Sequence, residues 1–304
     1  MGTPDFAVPS LEALLDAGHE VVLVVTQPDK PKGRGGKMQF PPVKECSMAH
    51  DIPVFQPRKI REKEAVENLR AYRPDFIVVA AFGQILPKEI LDMPRFCCIN
   101  VHASLLPKYR GAAPIQWALL NGEKEAGVTI MRMDVGLDTG DMIEKVSLPI
   151  DKEETGGSLF EKLSVAGAKL LAETIEKIAE GTATYTPQDE AQATHTTMIQ
   201  KSMGSIDWEK SAVETERLVR AMNPWPSAYT ALHGKTLKVW TAAALPENTG
   251  TVPGTVTKTD GNGMYVQTGD GTLLLKEIQL EGKKRMSCDA FLRGYPIEQG
   301  TMLL

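Results

Sequence analysis

Four apolar runs, "EVVLVVT" from residue 20, "IPVF" from 52, "DFIVVAA" from 75 and "CCINV" from 97, alternate with segments of helical periodicity near 42–50, 62–72 and after Pro87. Runs with no polar alternation belong to strands covered on both faces, and their alternation with helices predicts a mostly parallel sheet, an α/β, Rossmann-like first domain. After His102 the pattern changes. "GVTIMRMD" and "MIEKVSLPI" are separated only by "VGLDTGD", too short for a parallel crossover, so an antiparallel pair is expected. A long helix follows at about 157–180. Residues 182–204, "TATYTPQDEAQATHTTMIQKSMG", are rich in Thr and Gln without apolar periodicity and read as the region of a linker. A helix over "SAVETERLVRAM" then precedes "TLKVWTA", "GTVTK", "GMYVQTG" and "GTLLLKEIQL", with Gly and Asp-Gly turns between them. Short strands at that density predict a small β-barrel, OB-like, or a sandwich. The expected division is a first domain over 1–183, a linker over 184–204 and a second domain over 205–304.

Composition narrows the class. With 304 residues, 42% hydrophobic and 24% charged, the chain has material for two packed cores. It has no uninterrupted apolar run of about 18 residues, and "MGTPDFAVPS" lacks the layout of a signal peptide, so a cytoplasmic location is expected. Cys46, Cys97, Cys98 and Cys288 show no metal-ligand spacing; buried thiols are expected, with no metal. A net charge of -5 excludes a broadly basic nucleic-acid binder but not a local basic patch.

Candidate chemistry begins in "CCINVHASLLPKYRG". Side chains alternate along a strand, so Asn100 and His102 share one face while Ile99 and Val101 take the other. Ligands of open α/β sheets bind beyond the carboxyl ends of the strands, where this pair stands. A single histidine there is more often a satisfied structural residue; two convergent polar groups are less easily explained that way. Asp138, between Gly136 and Gly140 in the short connection, is a third candidate, although alone it would read as an ordinary turn.

"GTPDFAVPSL", "TQPDKPKGRGGK", "INVHASLLPKYRGAAPIQWALLNG", "GVTIMRMDVGLDTGDMI" and "MNPWPSAY" resemble, in order and through nearly the whole chain, the signatures of the methionyl-tRNA formyltransferases, a family of 10-formyltetrahydrofolate-dependent enzymes. The resemblance implies formyl transfer from 10-formyltetrahydrofolate to the α-amino group of methionyl initiator tRNA. Such a reaction needs an oxyanion donor, an acceptor for the amine proton and a donor for N10 of the departing folate. Asn100 is suited to the first role. His102 can contact the same oxygen and pass a proton, and Asp138 would hold His102 and order a water. The same resemblance puts the folate on Ser104, Leu105, Leu106 and Pro107, and on the strand end holding Phe82, Gly83 and Ile85.

Residues 26–42 carry Lys30, Lys32, Arg34 and Lys37 against one acid, Asp29, with three glycines and four prolines, and are expected to form a long exposed loop. Residues 205–304 hold eleven basic and eleven acidic side chains, with Lys283, Lys284 and Arg285 adjacent. Two separate basic patches on an acidic protein suit one extended polyanion. The resemblance implies initiator tRNA contact at both, with Arg34 sensing the weak first base pair, and the chain is expected to act as a monomer without a membrane partner. Other readings stay open at this point: a formyltransferase for a sugar or ribonucleotide amine, a formyl-folate hydrolase, and a noncatalytic nucleotide-binding module, although no G-x-G-x-x-G opens a helix. Members of the family carry a short apolar strand ahead of the stretch matching "GTPDF". Met1 is accordingly read as an internal methionine; were the sequence complete, unpaired backbone would be expected on the neighbouring strands.

Overall fold

The computed structural model describes residues 1–32 and 37–304. The chain divides into two compact units, the first made of Met1–Pro114, Glu125–Pro149 and Phe160–Thr196, the second of Ile115–Lys124, Ile150–Leu159 and Thr197–Leu304.

The first unit runs α1 (Val8–Asp16), β1 (Val24–Val25), β2 (Lys30–Lys32), β3 (Lys37–Gln39), α2 (Pro42–Ala49), β4 (Val54–Phe55), α3 (Lys63–Ala71), β5 (Phe76–Val79), α4 (Lys88–Leu91), β6 (Cys97–His102) and β7 (Arg110–Gly111). Helix α5 (Pro114–Leu120), which belongs to the second unit from Ile115, follows, then β8 (Glu125–Arg132), β9 (Met142–Pro149), α6 (Gly156–Ala179), in the first unit from Phe160, and β10 (His195–Thr196). Strand β1 pairs in parallel with β4, and β5 with β6; β6 and β9 each pair antiparallel with β8. Met1 and Gly2 lie between the two parallel pairs. The Gly2 N–H donates to Val25 O and the Ala80 N–H to Met1 O, so backbone expected to be unpaired is bridged there. Under the sheet Val25, Ile60, Val66, Leu69, Ile77, Val79, Phe82, Leu86 and Ile90 form one apolar cluster. The apolar runs become strands because burial on both faces rewards β-branched side chains and leaves no solvated face to alternate with.

Two segments differ from the sequence reading. Residues 30–32 and 37–39, expected to lie in a long exposed loop, form a two-stranded ribbon in which Lys30 pairs with Gln39 and Lys32 with Lys37. Such a ribbon rests on backbone bonds that need no apolar alternation. Its base is anchored: Asp29 takes an ion pair from Lys44 at 2.7 Å and a hydrogen bond from Gln56 Nε2 at 2.8 Å, which together hold its carboxyl below the usual range. The second is the expected linker, whose residues up to Thr196 belong to the first unit. Hydrogen bonds rather than apolar contacts hold them, so their periodicity carried no signal.

In the second unit α7 (Ala212–Ala221) starts at a capping box: Ser211 Oγ accepts from the Glu214 N–H, and Glu214 Oε2 accepts from the Ser211 N–H. Strands β11 (Ala228–Leu232), β12 (Lys235–Leu245), β13 (Val256–Asp260), β14 (Gly263–Gln267), β15 (Thr272–Leu280) and β16 (Met286–Ser287) precede α8 (Cys288–Gly294). The path runs β11-β12-β15-β14-β13, with β16 on β15, and the β12·β15 register slips between Val239 and Thr241. Leu237, Val239, Val266, Leu273, Leu275, Ile278 and Leu280 supply the core. No closed ring of paired strands is formed among the described residues. The two end strands are approached by the last residues: Leu304 exchanges hydrogen bonds with Ala231, while Thr301 and Leu303 bond Val256 and Gly254.

The four cysteines are free, and burial pushes the Cys98 and Cys288 thiols up to about 12. No helix among the described residues is long and apolar enough to cross a membrane. Trp117, Trp208, Trp225 and Trp240 all fall in the second unit, so tryptophan fluorescence reports its unfolding alone. Ile278, fully buried there, leaves a cavity when shortened: Ile278→Ala is expected to destabilise that unit by about 2–5 kcal/mol, read as an earlier urea midpoint in fluorescence. Exposed Lys276→Ala should leave the midpoint unchanged, and equal midpoints for both variants would contradict this packing.

Candidate active site

Strand β6 carries Asn100 and His102 to its carboxyl end. Its pairing with β8 sets Asn100 opposite Met131 and His102 opposite Thr129, while Ile99 and Val101 are buried on the other face. The connection from β8 to β9 then brings Asp138 back to the same edge. That connection is folded on itself, because Asp134 Oδ1 accepts from the Gly136 N–H and from Thr139 Oγ1. At Gly140 a Cβ would stand 1.9 Å from Arg132 O, so the close return is open to glycine alone. Asp138 itself has φ +55, a left-handed conformation disfavoured for residues other than glycine.

The three side chains meet. Asp138 Oδ1 lies 3.4 Å from Asn100 Nδ2, and Oδ2 lies 3.6 Å from His102 Nδ1 and 2.8 Å from the Gly111 N–H. His102 Nε2 is 3.0 Å from Tyr109 O. A carbonyl only accepts, so Nε2 carries the proton in that contact and Nδ1 is the nitrogen turned to Asp138. Both ring nitrogens therefore face protein acceptors. The contacts of 3.4 and 3.6 Å are at or beyond hydrogen-bond reach, which leaves Asn100 Nδ2, and His102 Nδ1 when the ring is protonated, with capacity for another acceptor.

The residues read from the sequence as folate contacts divide into two sets. Ser104 is buried and donates to Lys108 O; Ser104 O and the Leu106 N–H both bond Thr129 Oγ1, and Lys145 Nζ donates to Leu106 O. Burial away from water holds the Lys145 amine below its usual range. Leu106 packs on Met131 and Met142, so its side chain belongs to the core. Leu105 and Pro107 are half-buried. At the end of β5 Phe82 is also a core residue, and its carbonyl accepts from Gln27 Nε2. Beside it Gly83 is exposed with φ +80, and Ile85 is 81% exposed. An apolar side chain so open, next to bare backbone, is where a flat heteroaromatic ring would find both contact and peptide partners.

Of the basic residues, Lys30 is exposed on the ribbon and Lys32 and Lys37 face each other across it; Arg34 lies outside the described residues. Lys283 and Lys284 are exposed in the turn from β15 to β16. Arg285 is committed within the protein, pairing with Glu277 at 2.5 Å and lying 4.6 Å over the Trp240 ring.

Sequence reasoning missed a second layer. Arg110 is 1% exposed and forks onto Glu190 at 2.9 and 2.7 Å, while its Nε donates to Gln188 Oε1 at 2.9 Å. Gln188 Nε2 in turn donates to Asp138 O and Gly140 O, each at 2.8 Å. Strand β10 pairs with β7, and Thr194 Oγ1 accepts from the Tyr109 N–H. The available signal was an acid-rich stretch, "PQDEAQ", in a chain whose "KYRG" arginine had no local partner.

The Formyl transferase family model matches residues 1–175, and the Formyl transferase, C-terminal domain model matches 198–296. Methionyl-tRNA formyltransferase of Agathobacter rectalis is 62% identical over 301 residues, covering 99% of this chain and 97% of that protein. Its counterpart in Lachnospira eligens is 53% identical, covering 100% of this chain and 98% of that one. In fold, the crystal structure of WlaRD, a sugar 3N-formyl transferase, in the presence of dTDP and 5-N-formyl-THF, superposes with a TM-score of 0.66 at 22% identity, covering 93% of this chain and 97% of that one. On family models spanning both units and on full-length relatives of this identity, the chain belongs to the methionyl-tRNA formyltransferase family.

Proposed function

We infer that the protein transfers the formyl group of 10-formyltetrahydrofolate to the α-amino group of methionyl initiator tRNA, giving N-formylmethionyl-tRNA for translation initiation. The observation that carries the chemistry is the convergence of Asn100 and His102 on Asp138 at the carboxyl end of β6; the full-length relatives carry the acceptor. In this reading the folate supplies the formyl group and is bound along residues 104–107, with its ring against Gly83 and Ile85. Phe82 and Leu106 support that surface from the core through their backbone.

The methionyl amine attacks the formyl carbon. A C–N bond forms, and the carbonyl oxygen takes the negative charge. Asn100 Nδ2–H donates to that oxygen, and His102 Nδ1–H, present when the ring is protonated, joins it. An α-amino group titrates near or below pH 8, so part of it is free base at neutral pH without a strong catalyst. Asp138 holds His102 against the Tyr109 carbonyl and passes the amine proton, through an ordered water, towards N10; protonated N10 leaves as the C–N10 bond breaks. No step asks for a metal.

Lys30, Lys32 and Lys37 of the ribbon and Arg34, with Lys283 and Lys284, are proposed to contact the tRNA, and Arg285 to brace Trp240 beside the last two. The slipped β12·β15 register and the terminal residues bonded to both end strands support an OB-like barrel for residues 205–304. A cytoplasmic location and action as a monomer are proposed along with this reading.

Formyl transfer to charged initiator tRNA, compared with transfer to small amines, tests the assignment; consumption of the donor without any acceptor would replace it with a hydrolase. Asn100→Ala, His102→Ala and Asp138→Ala should retain folate binding while turnover falls, for the oxyanion donor by about a hundredfold to a thousandfold. Near-normal single-turnover formylation by His102→Ala would remove that residue from the mechanism. Arg34→Ala should lower formylation of initiator tRNA on the order of tenfold, with folate affinity unchanged and a smaller loss on tRNA with a strong first pair. Equal loss on both would make Arg34 a phosphate contact.

A further inference from the structure

We propose that Gln188, backed by buried Arg110, is a positioning residue of the transfer reaction: it fixes the backbone of Asp138 so that the carboxylate stays against His102 and Asn100. The inference rests on the reading of Asp138 given above and extends the active site into the segment that joins the two units.

Asp138 is gripped from both ends. Its carboxylate takes the Gly111 N–H at 2.8 Å, and its carbonyl takes Gln188 Nε2 at 2.8 Å. The same Nε2 spans to Gly140 O, so one amide ties both sides of the turn together. A non-glycine residue at φ +55 persists only where the surroundings over-determine it, and these bonds are what over-determines it here. Gln188 is itself aimed. Its Oε1 accepts from Arg110 Nε, which fixes which end of the amide faces Asp138, and Arg110 is locked by the two-pronged Glu190 contact and near-complete burial.

The segment does the same for His102. The Thr194 carbonyl accepts from the Arg110 N–H, Thr194 Oγ1 accepts from the Tyr109 N–H, and Thr196 Oγ1 donates to Arg110 O. These bonds hold Tyr109, at φ +61, with its carbonyl on His102 Nε2. At Gly111 a Cβ would stand 2.6 Å from Thr196 O, so the close approach of segment 194–196 and the N–H aimed at Asp138 require the same glycine. Residues 188–196 thus set the orientation of two members of the catalytic trio without touching substrate.

The test is a kinetic double-mutant cycle in the full-length protein with charged initiator tRNA and 10-formyltetrahydrofolate. Gln188→Ala should lower kcat on the order of tenfold to a hundredfold, the effect of a misplaced group, while both KM values stay near wild type. Gln188→Ala combined with Asp138→Ala should be no slower than Asp138→Ala alone, because a residue acting only through Asp138 has nothing left to position. Gln188→Glu keeps the acceptor for Arg110 and loses both donors; it should reproduce the kcat loss, and it carries the same cycle if the alanine variant melts early. Wild-type kcat in both Gln188 variants, or losses that multiply in the double mutant, would overturn the proposal. Full activity of Asp138→Ala would instead overturn the mechanism on which it rests.

Discussion

Antiparallel pairing of β6 with β8 is the constraint from which the site follows. Because β6 also pairs in parallel with β5, its register is fixed from both sides, and a slip of one residue would send Asn100 and His102 into the core and Ile99 and Val101 into the cleft. The same pairing decides where the chain goes next. An antiparallel β8 ends beside the start of β6, and the turn to β9 must return over the sheet edge, which brings Asp138 within reach of two side chains from a strand laid down about forty residues earlier.

Much of this was legible because it depends on patterns that physics repeats. The continuous apolar runs announced strands buried on both faces, and the change after His102 announced the antiparallel half. Asn100 and His102 were identifiable because two polar residues at a strand's carboxyl end have few structural uses. Asp138 between its glycines read by itself as an ordinary turn and stood out only through the family resemblance; Gly140 returns so closely that a side chain has no room.

Other features left no such mark. Arg110, Gln188 and Glu190 hold one another across about eighty residues, and a hydrogen-bonded contact of that kind has neither period nor composition bias. Segment 188–196 looked like a linker for the same reason: it earns its order from backbone and amide bonds, while hydropathy patterns register only apolar burial. The ribbon of 30–32 with 37–39 was missed because Lys-Pro-Lys facing Lys-Met-Gln offers no alternation. Leu106 and Phe82 show the opposite failure, in which a motif residue is a core side chain.

The place where the first unit ends has a practical meaning for anyone exchanging parts between related enzymes. Thr196 and Thr197 fall on opposite sides of the division, whereas helix α6 ends at Ala179, a tempting point at which to cut. A chimera joined just after the helix would carry a foreign segment 184–196 against the host's Asp138 and mismatch it with the host's Arg110. Joined at 196/197, the graft would take a new second unit and leave the host's Asp138 in the setting that its own chain built.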